Sequence, residues 1–263
     1  MEHAVPFEHQ VAGHVGSLFR HSHDRSKLIK KATLIEAEFY KLTQTRSPSE
    51  LAQFVPVFHG ASNGSCEFIV IENVIDSLSI PCVMDVKLGT VLYGRDADED
   101  KRARMTHQAR ITTSGTTGLR ICGMKIYDVA SAEYINYPKA FGRSLAPETL
   151  STAFELFYAA VPLAARHAVI SQTLLKLGHL KHAVQSSGVR LYGSSILLAY
   201  DIADVLASDS AVRLKEDVGK PVVKLIDFAH SHYEQPSDEF DGSAMTGLQT
   251  LEGILTRLSR VNE

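Results

Sequence analysis

Residues 81–89 read PCVMDVKLG. Asp85 and Lys87 stand two apart in an alternating stretch, so on a strand both project from one face. A carboxylate there suits a hydroxyl-bearing ligand and an ammonium suits phosphate; an ordinary cross-strand ion pair fits the same spacing. Residues 225–230 read LIDFAH, with Asp227 directly after an apolar run. An acid at a strand end facing a cleft can hold Mg²⁺ against nucleotide phosphates, because Mg²⁺ favours one or two carboxylates plus phosphate oxygens; a simple turn acid is the alternative. Lys30, followed by Glu36 on an expected helix, makes a phosphate-binding lysine held by an ion pair, a common pairing that is weak by itself. The basic run Lys101, Arg102, Arg104, His107, Gln108 and Arg110 places Lys101, Arg104 and Gln108 on one helix face at 100° per residue. Such a run is usually a solvated surface, and the sharper expectation is a cationic wall for a substrate with many phosphates. Ser194 and Ser195 offer hydroxyls that suit a metal's water shell or local backbone groups equally.

These side chains need elements to hold them. Residues 27–30 read as a short strand, 34–41 as a helix and 68–72 as a β-branched buried strand. A turn-like stretch at 76–81 marks the lobe boundary. Beyond it, 83–88 is an alternating strand, 96–110 a polar helix and 119–127 a strand. Residues 147–183 form a long helical region of one or two helices. Strands follow at 190–200 and 222–228, and an amphipathic helix at 247–258. A small α+β lobe therefore precedes a larger one, and a cleft between lobes is a frequent ligand site.

Composition limits the alternatives. The chain has 263 residues, 44% of them hydrophobic, and a formal net charge of -3. This supports a full-sized core and disfavours a broad nucleic-acid surface. The charges nevertheless segregate: Lys101, Arg102, Arg104 and Arg110 follow Asp96, Asp98, Glu99 and Asp100. No apolar run reaches the roughly 20 residues of a membrane span, and the opening residues carry no secretory signal pattern. Cys66, Cys82 and Cys122 suggest neither a disulfide framework nor a zinc site. Walker, HRDxxxxN, GxGxxG, GxSxG and HExxH patterns are absent, which disfavours P-loop enzymes and ordinary protein kinases. The expected setting is intracellular, cytoplasmic or nuclear, and the expected state is a monomer.

In order along the chain, these pieces resemble the inositol polyphosphate kinase family. Residues 81–89 match its PxxxDxKxG signature, and Ser194 to Leu197 resemble its SSLL element with Ile in third place. Ile226, Asp227 and Phe228 are similar to its metal-site element, and residues 9–14 (HQVAGH) to its N-terminal HQVxGH. The resemblance implies an α+β, two-lobed, protein-kinase-like (ATP-grasp-related) fold. Residues 1–75 would form an N-lobe with an antiparallel sheet and a helix. Residues 76–263 would form a larger C-lobe, with an inositol-phosphate-binding helical segment at about 95–115.

The resemblance also implies roles. Lys30 contacts ATP phosphates with Glu36 as its partner; Glu72, Asn73 and Val74 form the adenine hinge; Asp85 binds the ribose. Lys87 contacts substrate phosphate and the transferring group. Asp227, with Ser195, holds Mg²⁺. Lys101, Arg104, Met105 and Gln108 fall on the substrate helix, and His230 lies near the substrate. Residues 113–124 and Ala140 to Arg143 look most like the inositol hexakisphosphate kinases, and Arg104 favours that branch. The Met84–Lys87 core fits the multikinase branch equally well, while Met105, Thr106 and Gln108 depart from the more polar or basic residues common in that helix. The implied activity is ATP- and Mg²⁺-dependent phosphorylation of an inositol polyphosphate, with inositol hexakisphosphate first. A multikinase, a trisphosphate 3-kinase and a catalytically silent sensor are the alternatives.

Overall fold

The computed structural model describes residues 5–14, 16–46, 50–61, 67–209, 218–234 and 240–260; Cys66 lies outside them. A four-stranded antiparallel sheet comes first. It is built from β1 (Leu18–Arg20), β2 (Lys27–Lys31), β3 (Phe58–Ala61) and β4 (Phe68–Glu72), in the order β1-β2-β4-β3. Helix α1 (Leu34–Thr45) packs on it. The Thr33 hydroxyl caps α1 by accepting from Glu36 N at 3.2 Å, which satisfies one of the free amides of the first turn. In β4, Ile69 and Ile71 are buried while their neighbours are partly exposed, the period-2 pattern of a half-covered sheet.

The second sheet has five antiparallel strands in the order β10-β9-β5-β6-β7. They are β5 (Pro81–Leu88), β6 (Leu119–Asp128), β7 (Glu133–Tyr137), β9 (Ser195–Asp201) and β10 (Val222–Ile226). β5 is central and only Lys87 among its residues is not buried, as expected of a strand covered on both faces. Helices α2 (Glu99–Arg110) and α3 (Ser114–Thr117) lie between β5 and β6, and α4 (Lys139–Ser144) follows β7. Then come α5 (Leu150–Ala159), α6 (Leu163–Ser186), α7 (Ile202–Asp209) and α8 (Gly242–Arg260). A small pair, β8 (Val189–Arg190) with β11 (His232–Tyr233), completes the element order.

Several sequence expectations are adjusted. The expected strand at 190–200 is two strands separated by a turn in which Gly193 has φ 64°, a left-handed conformation that costs glycine little. The 147–183 region is a short 3₁₀ turn plus two helices that bend by 118° at the break before Leu163, where Pro162 cannot extend the preceding helix. The polar helix begins at Glu99, because Asp98 caps it by accepting from Lys101 N at 2.7 Å. The last helix begins at Gly242, where Asp241 accepts from Ala244 N (2.9 Å) and also from Leu191 N (2.6 Å).

The two sheets meet through α1 and through the N-terminal segment. Phe39 of α1 stacks on Phe228 (centroids 4.4 Å) and on Tyr233 (5.3 Å). Thr43 Oγ1 and the Tyr233 hydroxyl are 2.8 Å apart. The N-terminal segment pairs with β1, where Phe7 N donates to Leu18 O, and then crosses to β6. There Lys125 Nζ donates to Glu8 O at 2.6 Å, and the Val11 carbonyl packs so closely on Gly123 that any Cβ would collide with it.

Candidate active site

A cleft opens between the two sheets. Leu28, Ile71, Val83, Leu197 and Ile226 make its walls apolar, and Lys30, Asp85 and Asp227 put charge at one end. Glu72, Asn73 and Val74 lie along the same cleft. Glu72 ends β4, with its carboxylate accepting from Val57 N at 3.0 Å. Asn73 is held at both its backbone and its side chain, donating to Ser26 O (2.7 Å) and Arg25 O (3.0 Å).

At the charged end, Lys30 Nζ lies 2.6 Å from both Glu36 Oε1 and Asp227 Oδ1. Burial disfavours the Lys30 ammonium, but the two carboxylates outweigh it and hold its pKa well above the ordinary lysine value. Glu36 Oε1 also accepts from Phe228 N at 3.1 Å, so one carboxylate fixes both the lysine and the backbone beside Asp227. Asp227 itself has φ 65°. A non-glycine residue held in this region marks local strain, which collects at functional sites.

Asp85 points from β5 into the cleft. Burial raises its pKa to about 6, despite the opposing pull of Lys87. Asp85 Oδ1 and Ser195 Oγ are buried without a well-formed hydrogen bond, the nearby Ser195 hydroxyl easing the Asp85 carboxylate only in part, an expensive state for polar atoms unless a ligand completes them. Lys87 stands opposite Ser195 on β9 and donates to Gly193 O at 2.7 Å.

Beyond Lys87 lies the inner face of α2. Lys101 Nζ is 3.1 Å from His230 Nε2, and Asp96 is 3.9 Å from His230 Nδ1. Burial, helped by Lys101, lowers the His230 pKa. Lys101, Met105 and Gln108 are half-buried whereas Arg104 is exposed, so the inner face is Lys101-Met105-Gln108 rather than Lys101-Arg104-Gln108. Arg104 stands about 60° round the helix from Lys101 on the 100° period. Arg102 turns back to cap the preceding loop, donating to Ala97 O and Arg95 O.

The sequence-derived residues thus fall into one continuous tract: Glu72, Asn73, Val74, Asp85, Lys30 and Asp227 in the cleft, Lys87 and Ser195 on the adjoining sheet face, and Lys101, Met105, Gln108 and His230 beyond. The sequence reading missed Tyr40, buried in the wall with an unpartnered hydroxyl, and gave residues 7–13 no place there. The HQVAGH pattern was the available signal. Gln10 Nε2 contacts Ala12 O, His14 O and Ser17 Oγ at 2.8–3.2 Å and so folds this segment into the cleft wall.

The family model for inositol polyphosphate kinase matches residues 68–256. The chain belongs to the inositol polyphosphate kinase family. Inositol hexakisphosphate kinase 2 of Oryctolagus cuniculus is 32% identical over 73% of this chain and 52% of its own length, so the chain spans about half of that relative. The inositol polyphosphate multikinase of Schizosaccharomyces pombe is 28% identical over 93% of this chain and 94% of its own. The inositol phosphate multikinase of S. cerevisiae, solved in complex with ADP and Mn²⁺, is 31% identical with a TM-score of 0.76, covering 88% of this chain and 98% of that one. The two-lobed α+β arrangement is the fold this chain shares with the S. cerevisiae multikinase.

Proposed function

We propose that this chain is an ATP- and Mg²⁺-dependent inositol polyphosphate kinase whose acceptor binds between β5 and α2. The observation that carries this is the convergence of Lys30, Asp85 and Asp227 in one cleft with Lys87 on the adjoining sheet face, where buried Asp85 Oδ1 and Ser195 Oγ have no well-formed hydrogen bond. A silent sensor has no need of this carboxylate and lysine set beside an apolar slot. The nucleotide lies in the slot with its base along residues 72–74 and its ribose hydroxyls on Asp85. Lys30, held by Glu36, takes phosphate oxygens.

The donor set fits a hard cation, since Asp227 supplies carboxylate oxygens and Ser195 follows on the strand paired with β10. Asp227 and Ser195 would hold it, and bound Mg²⁺ would neutralise phosphate charge. Lys87 stands between the cleft and the α2 face, placed to steady the transferring group. Phosphoryl transfer depends mainly on alignment and charge neutralisation, so these residues need no strong general base. Lys101, Met105, Gln108 and His230 form the acceptor side, and Arg104 stands on the exposed neighbouring face of α2.

Inositol hexakisphosphate is the first acceptor proposed, giving a diphosphoinositol phosphate, on the likeness of residues 113–124 to that branch. The near full-length match to the S. pombe multikinase supports ring-hydroxyl phosphorylation as the second reading. Incubation with MgATP and inositol tris- through hexakisphosphates, read by phosphorus NMR, separates them: a diphosphate resonance marks the first and a new monoester the second. Absence of turnover on every member of the panel overturns the kinase assignment. Asp227→Asn should abolish turnover while inositol-phosphate binding persists; retained activity would contradict the metal role.

A further inference from the structure

We infer that Arg120 on β6 is a second fixed cation of the acceptor subsite, a positioning residue that works with Lys87; the inference rests on the acceptor site proposed above. Arg120 is directly opposite Lys87 in the β5–β6 register, and directly opposed residues share a sheet face. That face is the one carrying Asp85 and Lys87, so Arg120 stands beside Lys87 on the sheet face that borders the acceptor side. A β-bulge between Asp85 and Val86 brings it there, because the extra residue in β6 resets which side chains face the cleft.

Arg120 is 5% exposed. Its Nε and Nη1 are buried with no hydrogen-bond partner, and no described carboxylate forms an ion pair with it. Its neighbour is the Cys122 thiol, a weak acceptor whose pKa burial and Asp85 raise and Arg120 pulls back by its charge and side-chain contact. Two costs therefore fall on one spot. A buried guanidinium with unmet donors is expensive, and two cations directly opposed across strands repel. Lys87 relieves part of this by turning its ammonium to Gly193 O, away from β6. A polyanion above the strand pair offsets the repulsion and the cost of the buried charge, since the field of a buried charge is weakly screened. Arg120 thus keeps the Lys87 ammonium forward and adds a positive charge that the acceptor's phosphates meet, without needing direct contact.

The test is titration calorimetry of inositol hexakisphosphate, without nucleotide, into the full chain and its Arg120→Met and Arg120→Lys variants. Removing the charge should raise Kd about ten-fold. Arg120→Lys, which keeps the charge, should stay within about three-fold of the parent, and MgADP affinity should change less than two-fold in both. Unchanged binding by Arg120→Met, equal loss in both variants, or a parallel fall in MgADP affinity overturns the inference. If the parent chain binds no inositol phosphate, the acceptor site itself is wrong; binding that survives Arg120→Met sinks only the role of Arg120. Should the methionine variant not fold, the Arg120 Nε–H resonance of the unmodified protein decides. It should shift on adding inositol hexakisphosphate and stay still with MgADP, and an unmoved resonance refutes the role.

Discussion

Asp85 and Asp227 share one cleft and are driven in opposite directions. Burial pushes Asp85 up to about 6. Burial pushes Asp227 up too, but Lys30 and Lys87 outweigh it and hold it at about 2. For Asp85 the folded value lies above the unfolded 3.8. Its ionised form therefore destabilises the fold above about pH 6, and that cost disappears as pH falls from 6 toward 4. Asp227 has the reverse sign: its contribution is present above the unfolded value and lost as pH falls toward 2. Asp85→Asn should accordingly stabilise the ligand-free chain at pH 7.5 by on the order of 2 kcal/mol, while MgADP affinity falls. Denaturant unfolding and calorimetry check the pair, and a destabilised variant would show that the carboxylate is not held at a cost. At this scale the spacing of Asp85 and Lys87 was legible because strand period alone sets a shared face. Tyr40 was not, because a tyrosine at helical spacing looks the same whether it lines core or cleft.

Two elements depend on contacts distant in sequence. The N-terminal segment reaches the cleft only because Gly123 lets the Val11 carbonyl approach β6. Gly123→Ala should therefore lift the segment from the sheet, raising its cleavage by added protease and raising the KM for ATP several-fold. A variant with unchanged proteolysis and KM would mean that the strap carries no part of the nucleotide wall. Helix α2 was foreseeable from its polar, proline-free sequence, but its start was read at 96 instead of at Glu99, where the Asp98 cap sets it. Its orientation was not, since a charge run has no apolar stripe to declare an inner face. Only Ala109 among its residues is buried, and docking of that end turns Lys101 toward His230 and leaves Arg104 outside. Lys101→Ala should accordingly raise the KM for inositol polyphosphates more than Arg104→Ala does; equal effects would place both side chains at the acceptor.

Across the whole molecule, one core runs through both sheets: Phe39, Tyr40 and Ile69 belong to the same cluster as Val86, Phe154 and Phe228. The Lys30–Asp227 ion pair and the Phe39–Phe228–Tyr233 stack also bridge them. Scanning calorimetry of the ligand-free protein should show a single cooperative transition; two resolved transitions would contradict a shared core. The net charge of -3 conceals the basic tract formed by Lys87, Lys101 and Arg120, because a sum over the chain says nothing about where folding gathers the charges.

By itself the sequence determined the longer elements β2, α1, β4, β5, α2, β6, β10 and α8 in their order, the shared face of Asp85 and Lys87 and the family's motifs, since periodicity and spacing are local properties; the short β1, β3, β7, α4 and α7 carry too few residues to show a period. The tertiary structure alone decided which face of α2 looks inward, that the N-terminal segment joins the cleft wall, and that Arg120 stands opposite Lys87. Each of these depends on register or close approach between segments far apart in the chain, and no local pattern encodes such a distance.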